Sequence, residues 1–255
     1  MPVRHLSTSK IARAVGCHPN TVRMYEVWGL LPPVPRSRNG YRVYTQAHLD
    51  QMRLARTALN TVYPGKAIRQ SAIKVIKTAA AGDLGSALEL AYHHLALVRA
   101  EQAQAETAAA LLERWAQGVP IDPLARNLHI GETARLLGLS VDILHNWERS
   151  GLVVVPRQAG NGYRLYGQEQ IARLRVIRML RSAGYSLMAI LRMMLQLDAG
   201  ITTNLRQALD TPRPDEDVLS AADRWLSTLA EMEICAHKMI AIIEERIQKE
   251  RSETI

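Results

Sequence analysis

The sequence predicts a mainly α-helical chain built from two copies of one small helical unit, each followed by a long helix. A segment near the N-terminus returns 122 residues later. Two further segments carry apolar residues at alternating four- and three-residue spacing, as in a coiled-coil seam. Basic charge follows the repeat: residues 1–60 carry +7 and residues 127–185 carry +4, whereas residues 186–255 carry −4. This distribution is the electrostatic footprint expected of a nucleic-acid-binding protein.

The clearest repeated motif is Asn-Gly-Tyr-Arg-x-Tyr, at 39–44 and again at 161–166. Asn-Gly predicts a tight hairpin because both residues tolerate positive φ. We expect a small β wing with its two tyrosines on one face and Arg on the other. The offset of 122 also matches Ala12, Arg13, Gly16, Glu26, Gly29 and Leu30 to Ala134, Arg135, Gly138, Glu148, Gly151 and Leu152. Such agreement predicts an internal duplication with no insertion over about fifty residues.

A helix-turn-helix precedes the first wing. Ser7 or Ser9 can cap a short helix, the turn follows at 16–18, and Pro19 suits the first position of a second helix. That second helix is expected to end near Gly29. Two short helices joined by a three-residue turn are typical of helix-turn-helix proteins, whose second helix contacts bases.

The combined motif resembles the winged helix-turn-helix of the MerR transcription regulators. The residues that carry the resemblance are 21–32 and 38–44 in repeat one, and 143–152, 161–166 and 184–190 in repeat two. The resemblance implies a recognition helix in the major groove of DNA and wings that hold phosphates. Repeat one departs from the family pattern at 63–68, where Gly-x-Ser-Leu would begin the second wing.

The DNA-contacting residues expected from the helix, the wing and the resemblance fall in both repeats. In repeat one they are Asn20, Thr21, Arg23, Tyr25, Arg36, Arg38, Asn39, Tyr41 and Arg42. In repeat two they are His145, Asn146, Arg157, Asn161, Tyr163 and Arg164. Repeat two has His145 in place of Arg23 and Asp142 in place of Asn20, and both changes weaken attraction to phosphate. We therefore expect an imperfect palindrome as the binding site.

The chain is predicted to follow the order unit, helix, unit, helix. The expected segments are a first winged helix-turn-helix (1–80), a long helix (83–117), a linker (118–127), a second winged helix-turn-helix (128–200), a short helix and connector (201–214) and a second long helix (215–251). Each seam runs about thirty residues, from Leu84 and from Val218. Ordinary bundle core is the alternative explanation of these stripes.

MerR proteins dimerise through an antiparallel pair of such helices, and this chain carries both helices itself. The resemblance therefore implies an intramolecular pseudo-dimer, in which one chain imitates a dimer with two non-identical halves. Pairing of the long helices between two chains, which would give a homodimer, is the competing interpretation.

Other classes of function find little support. We expect no cofactor, no membrane contact and no metal site, because the two cysteines lie far from Leu84 and Val218, and His93 and His94 are adjacent on a helix. No nucleophile–base signature or phosphate loop indicates an enzyme. No signal-peptide stretch or membrane-spanning run is present, so a cytoplasmic protein is expected. The resemblance to MerR regulators implies a bacterial, nucleoid-associated protein.

The favoured interpretation is a sequence-specific regulator that binds and distorts promoter DNA, with RNA polymerase as its partner at the promoter. Two alternatives stay open. The first is a regulator that senses small molecules of the multidrug type. The second is a protein-interaction adaptor whose second unit binds DNA weakly, for which Asp142 and His145 are the support. The sequence does not specify the operator, the effector or the direction of control.

Overall fold

The computed structural model of the chain describes residues 5–61, 63, 66–119, 127–212 and 221–254. Within these residues the predicted mainly α-helical class is confirmed. The helices are α1 (Thr8–Ala14), α2 (Pro19–Val27), α3 (Gln46–Leu59), α4 (Lys66–Ala80), α5 (Leu84–Ala116), α6 (Ile130–Leu137), α7 (Val141–Arg149), α8 (Gln168–Ser182), α9 (Leu187–Asp198), α10 (Leu205–Asp210) and α11 (Trp225–Thr254). A 3₁₀ turn, Ala221–Arg224, precedes α11.

The chain divides into two compact units. The first consists of Met1–Ala100 together with Leu229–Ile255, and the second is Glu101–Thr228. Each of the two long helices, α5 and α11, therefore contributes residues to both units. The units are not simply the two halves of the sequence, because the last helix of the chain completes the first unit.

Helices α1 and α2 form the predicted helix-turn-helix of the first unit. The Ser7 hydroxyl accepts a hydrogen bond from the amide of Lys10 (3.3 Å) and so caps α1. Gly16 turns the chain with φ of +63°, and Pro19 occupies the first turn of α2. Ile11 and Val22 are fully buried where the two helices meet. Each local signal in the sequence thus coincides with the boundary it predicts.

The wing of the first unit is a tight hairpin with a three-residue loop. The amide of Ser37 donates to the carbonyl of Tyr41 (2.8 Å), and the amide of Gly40 donates to the carbonyl of Ser37 (2.9 Å). Gly40 alone has positive φ (+76°), whereas Asn39 does not. This pattern is typical of a type I turn followed by a left-handed glycine.

The expectation of a repeat without insertion is wrong by one residue. Isolated antiparallel bridges pair Arg36 with Arg42 in the first wing, but Arg157 with Arg164 in the second. The second loop is therefore one residue longer, and one residue is lost before it. Leu6 pairs with Tyr44 and Leu128 with Tyr166, so the offset of 122 is restored on the return strand. Two compensating single-residue shifts conceal the difference in a continuous alignment.

The expectation that both wing tyrosines share one face is also wrong. Tyr41 is 75 % exposed, whereas Tyr44 is completely buried. Successive side chains of an extended chain point to opposite faces, and two residues three positions apart must therefore diverge. Tyr44 fills the core of the unit, and Tyr163 and Tyr166 divide in the same way in the second unit.

The long helices pair within the first unit. The Tyr92 hydroxyl donates to Glu244 (3.1 Å), and Arg99 Nε donates to Glu233 (2.7 Å). As α5 advances, its partners move back along α11, so the two helices run antiparallel. Buried seam residues from both helices join one apolar core with the helix-turn-helix: Ala87, Ala91, Leu95, Ala236, Met239, Ile240 and Ile243.

The second unit receives the C-terminal half of α5. The Tyr185 hydroxyl donates to the carbonyl of Ala105 (3.1 Å), which ties the turn before α9 to that helix. Trp225 is buried at the start of α11, and its indole N–H donates to the carbonyl of Ala183 (2.7 Å). The indole covers Gly184, where a Cβ would lie 2.5 Å from the ring at a φ of +97°. Only glycine is compatible with that close approach.

Some predicted boundaries differ from the structure or lie outside it. The second long helix was expected over 215–251, with its seam starting at Val218; α11 itself begins at Trp225. Val218 and most of the expected linker, 120–126, lie outside the described residues. The first long helix, expected over 83–117, is α5 at Leu84–Ala116. In the described ranges, no helix combines the length and apolarity that crossing a membrane requires.

His94 is a buried titratable group between α4 and α5. Its Nδ1 lies 2.7 Å from the Ser71 hydroxyl, which itself donates to the carbonyl of Ile68. Its Nε2 is buried without a hydrogen-bond partner. Burial, and to a lesser degree the neighbouring His93, lowers the pKa of His94 from 6.5 to about 4. The folded chain therefore holds this imidazole neutral, since a proton on Nε2 would have no acceptor.

We expect the first unit to lose stability in mild acid because of His94. Between pH 6.5 and pH 4 the unfolded chain binds this proton and the folded chain does not, so the free energy of unfolding falls as the pH falls. The full loss is about 3 kcal/mol for a shift of this size. Urea denaturation of the full chain at pH 7.5, 6 and 4.5 measures it.

The matched control for this titration is His94→Gln, which cannot ionise. The variant is expected to be less stable at neutral pH but to show a smaller loss of stability between pH 6.5 and pH 4.5. The same pH dependence in the variant and the unaltered chain would show that His94 is not the responsible group.

Candidate nucleic-acid interface

Helix α2 presents an exposed polar face in the first unit. Val22 and Tyr25 point into the core, which leaves Asn20, Arg23 and Met24 exposed on the other side. Arg23 Nη1 donates to the Asn20 amide oxygen (2.8 Å), so these two side chains form one polar pair near the start of the helix. Side chains in this position contact base edges in helix-turn-helix proteins.

A carboxylate of α2 ties the wing to the helix. Glu26 accepts hydrogen bonds from Arg42 Nε (2.5 Å) and from Arg36 Nη2 (3.3 Å). Arg42 and Arg36 keep 25 % and 47 % of their side chains exposed. Two cations around one anion leave a net charge of +1 at the junction of helix and wing. The arrangement fixes the wing relative to the helix and still favours a phosphate.

The same junction exists in the second unit. Glu148 of α7 accepts from Arg164 Nε (2.6 Å), and Arg157 Nη2 lies 3.9 Å from its other oxygen. His145 Nδ1 is 4.0 Å from the same carboxylate. Arg157 thus occupies the place of Arg36, as the shifted wing register requires. Helix and wing are connected by equivalent ion pairs in both copies.

Burial separates one predicted contact residue from the rest. Tyr25 is only 5 % exposed and packs in the apolar core of the first unit. Trp147 occupies the equivalent position in the second unit and is equally buried. Both rings hold the recognition helix against its unit. In this structure Tyr25 supports the recognition helix from the core, and its predicted contact with DNA stays a prediction.

The other predicted residues lie at or near the surface. In the first unit Arg38, Asn39 and Tyr41 are exposed on the wing loop, and Thr21 is half-buried on α2. In the second unit Asn146, Asn161 and Tyr163 are exposed, whereas His145 is half-buried. Tyr163 contacts the ring of His129 edge-on, with 6.4 Å between centroids. Recognition helix and wing therefore offer polar side chains in each unit.

Sequence reasoning missed a basic side chain on α4. Arg69 lines one cavity with Thr21 and Met24 of α2, so it lies on the side of the recognition helix. Lys66 is exposed on the same helix, one turn earlier. The signal was available, since both are cations in the segment that departs from the Gly-x-Ser-Leu pattern.

The two surfaces carry different charge. At the offset of 122, Lys66 and Arg69 correspond to Met188 and Leu191, and Arg23 corresponds to His145. Asn20 likewise corresponds to Asp142. Arg149, at the end of α7, is one exposed cation that the second unit has and the first lacks. On balance the first unit is the more basic surface.

The described residues offer little for other chemistry. They contain no group of three or more His, Cys, Asp or Glu side chains that could hold a metal ion. Burial raises the pKa of Cys17, against a smaller opposing effect of Arg56. Burial also raises the pKa of Cys235. Neither thiol is therefore activated as a nucleophile.

The chain matches known regulators on both copies of the unit. The model of the MerR HTH family of regulatory proteins matches residues 6–72 and 128–197. Nodulation protein NolA of Bradyrhizobium sp. (strain NC92) is 31 % identical over 126 residues, which cover 43 % of this chain and 53 % of NolA.

Two shorter matches concern other bacterial regulators. The HTH-type transcriptional regulator CueR of Escherichia coli O157:H7 is 43 % identical over 53 residues, covering 21 % of this chain and 39 % of CueR. A probable heavy metal-dependent transcriptional regulator of Haemophilus influenzae is 36 % identical over 67 residues, covering 26 % and 52 %. The chain thus spans about half or less of the length of these relatives, and no solved structure matches it.

The two family matches together cover more than half of the chain, and each includes one helix-turn-helix with its wing. The structure independently shows the same helix-turn-helix, wing and Glu–Arg junction in both places. The chain therefore belongs to the MerR family of helix-turn-helix regulatory proteins and carries two copies of the family's characteristic unit.

Proposed function

We propose that this chain is a transcription regulator that binds promoter DNA through two non-identical winged units in one polypeptide. The observation that carries the proposal is the duplicated junction of recognition helix and wing. Glu26 with Arg36 and Arg42, and Glu148 with Arg157 and Arg164, each leave a net positive, exposed surface. The match to CueR, which is named a transcriptional regulator, supports the same proposal.

The pseudo-dimer is part of the same proposal. Antiparallel pairing of α5 with α11 in the first unit supports a monomer that carries its own dimerisation helix. Covalent linkage gives the two helices an effective concentration on the order of millimolar. One chain then occupies one operator. The operator is an imperfect palindrome, because the two recognition helices present different side chains.

Control of transcription follows from DNA distortion in this proposal. The resemblance to MerR proteins implies a promoter with an overlong spacer, which the regulator bends or untwists so that RNA polymerase can engage it. The energy of such deformation depends on sequence, so it adds specificity at base pairs that no side chain touches. The protein acts on the chromosome in the bacterial cytoplasm.

A second candidate function is small-molecule sensing. In the first unit a cavity of about 1320 Å³ lies between the start of α5 and the end of α11, lined by apolar Leu84, Leu88 and Ile247 beside Glu244 and Glu245. The space can admit a drug-sized ligand, although it is larger than the roughly 300–1,000 Å³ usual for such pockets. Titration calorimetry against lipophilic compounds tests this, and a saturable one-to-one heat would favour it. If footprinting showed that residues 141–166 of the second unit protect no DNA, the protein-interaction adaptor would be favoured instead.

Replacing Arg23 should weaken binding more than replacing His145. Arg23→Ala removes a permanent charge from the more basic surface, so we expect a loss of affinity and a fall in the salt slope of about one. His145→Ala should change the slope little at pH 7.5. Binding is measured on DNA selected from a random pool, at several salt concentrations. Selection of a perfect palindrome, or equal effects of the two variants, would contradict unequal half-sites.

The wing arginines give a separate prediction. Arg42→Ala should weaken binding alike on all sequences and lower the salt slope by about one, because its guanidinium faces the phosphates. Arg164→Ala should act in the same way but more weakly. Glu26→Gln is the matched control: it removes the anion that holds Arg42, and the slope should not fall. Unchanged affinity and slope in Arg42→Ala would remove the wing from the interface.

The oligomeric state tests the pseudo-dimer. Light scattering should report a mass near 28.5 kDa for the chain in solution. Leu229→Glu places a charge at a fully buried seam position and should unfold or open that monomer. Ile234→Glu, at a site on α11 that is 54 % exposed, should leave mass and stability unchanged. If the unaltered chain instead showed twice this mass, and Leu229→Glu reduced it to the mass of one chain, the long helices would pair between chains.

A further inference from the structure

A buried glutamine holds the end of the first recognition helix. Gly29 closes α2 with φ of +69°, and the amide of Leu30 donates back to the carbonyl of Tyr25 (2.9 Å). The carbonyl of Leu30 then accepts from Gln51 Nε2 (3.0 Å), and the same Nε2 donates to the carbonyl of Ile76 (2.8 Å). Gln51 is fully buried. Its side-chain amide therefore links the end of α2 to α3 and α4.

The remaining polar atom of this glutamine is satisfied from the far end of the chain. Arg246 Nη1 of α11 donates to Gln51 Oε1 at 2.6 Å, across 195 residues of sequence. Burial lowers the pKa of Arg246, and Asp50 and Glu250 oppose that shift. Without Arg246 the buried amide oxygen would lose its donor, which is unfavourable. The position of α11 and the end of the recognition helix thus share one hydrogen-bond chain.

In the second unit the end of the recognition helix is held by residues of α8 and α9. At the offset of 122, Leu30, Gln51 and Ile76 correspond to Leu152, Arg173 and Asp198. Arg173 Nε donates to the carbonyl of Leu152 (2.6 Å), and its two Nη atoms donate to the Asp198 carboxylate (2.5 and 2.8 Å). A bidentate ion pair between α8 and α9 replaces the donor from the long helix.

Within the described residues, α5 carries no donor at the position that corresponds to Arg246. The sequences of the two long helices can be aligned at an offset of 134 residues. This alignment matches four buried residues of α5 with four buried residues of α11: Leu95, Val98, Ala105 and Ala109 with Leu229, Met232, Met239 and Ile243. The same shift places the buried Leu112 on Arg246. A hydrocarbon side chain cannot hydrogen bond. Among the described residues, this polar contact between a recognition helix and a long helix therefore occurs in the first unit and has no counterpart in the second.

We propose that Arg246 is a positioning residue that makes the first recognition helix responsive to α11, while Arg173 and Asp198 fix the second recognition helix independently of the long helices. The proposal rests on the proposed function, because it assigns different roles to two DNA-binding units. An axial shift of α11 by one residue, about 1.5 Å, is enough to break a hydrogen bond of this length. Displacement of α11 would then change binding at one half-site only.

The first experiment measures the recognition helices without DNA. Hydrogen exchange of the full chain is followed in residues 19–28 and 141–149 for Arg246→Leu, Arg246→Lys and the control Lys249→Leu, which removes an exposed cation from α11. Arg246→Leu should raise the amide exchange rates of residues 19–28 by roughly ten- to a hundredfold, because it leaves a buried acceptor without a hydrogen bond. Exchange in 141–149 should not change. In Arg246→Lys the exchange rates of residues 19–28 should lie between those of Arg246→Leu and those of the unaltered chain. In Lys249→Leu they should equal those of the unaltered chain.

Coupling through Gln51 is tested by a double-mutant cycle. Gln51→Leu should itself loosen residues 19–28, and adding Arg246→Leu to it should have almost no further effect. In the second unit, Arg173→Leu should loosen residues 141–149 and leave 19–28 unchanged. Additive effects of Arg246→Leu and Gln51→Leu would show that Arg246 does not act through this amide, and would overturn the proposal.

Footprinting then locates the effect on DNA. The half-site of the first unit is identified by the protection that Arg23→Ala loses, and Arg246→Leu should lose protection only in that half-site. Equal loss in both half-sites, or no loss, would overturn the proposal. If Arg246→Leu fails to fold, the same comparison is made with Arg246→Lys. If the unaltered chain protects no DNA, the proposed function fails, whereas the exchange measurements still decide the coupling.

Discussion

The apolar stripe on each long helix is the constraint on which the rest of the structure depends. A helix of thirty residues or more with such a stripe must bury it, and in the first unit α5 does so against α11 of the same chain. In this unit the stripe of α5 includes the buried alanines Ala87 and Ala91, and small side chains let two helix backbones approach closely. Because the partner runs antiparallel, the C-terminal end of the chain returns to the first unit. The seam therefore decides which residues complete that unit.

Within each unit, a second constraint keeps the DNA-facing geometry constant while its surface chemistry varies. The ion pair between Glu26 and Arg42, repeated by Glu148 and Arg164, joins residues that are 16 positions apart in both copies. Such a charge-assisted hydrogen bond is directional and fixes the wing against the helix. The exposed residues around it are free to differ, as Arg23 and His145 do. A duplicated framework with divergent surfaces is what unequal half-sites require.

The sequence predicts what depends on local pattern. Helical spacing, the cap at Ser7, Pro19 at the first position of α2 and the glycines at helix ends correctly indicate the fold class and the helix-turn-helix units. The wing shows the limit of prediction from local pattern. Two compensating single-residue shifts, before and within the wing loop around Arg36 and Arg157, cannot be seen in a continuous alignment, and backbone pairing reveals them. The face assigned to Tyr44 failed because three residues of extended chain reverse a side chain's direction. Burial of Tyr25 likewise depends on tertiary packing that a family resemblance does not supply.

The contact between Gln51 and Arg246 is harder still to predict, because neither residue belongs to a local motif. Its meaning emerges from comparing the two units. The second unit keeps an ion pair between Arg173 and Asp198, which makes it self-sufficient, whereas the first has an uncharged glutamine at that place. An uncharged amide in a fully buried position is tolerable only if every polar atom finds a partner. The covalent return of α11 supplies the missing donor at a fixed place, and a dimer of identical chains would have to supply it identically in both halves. Joining two units in one chain therefore permits an asymmetry in how the recognition helices are held, in addition to the asymmetry in what they contact.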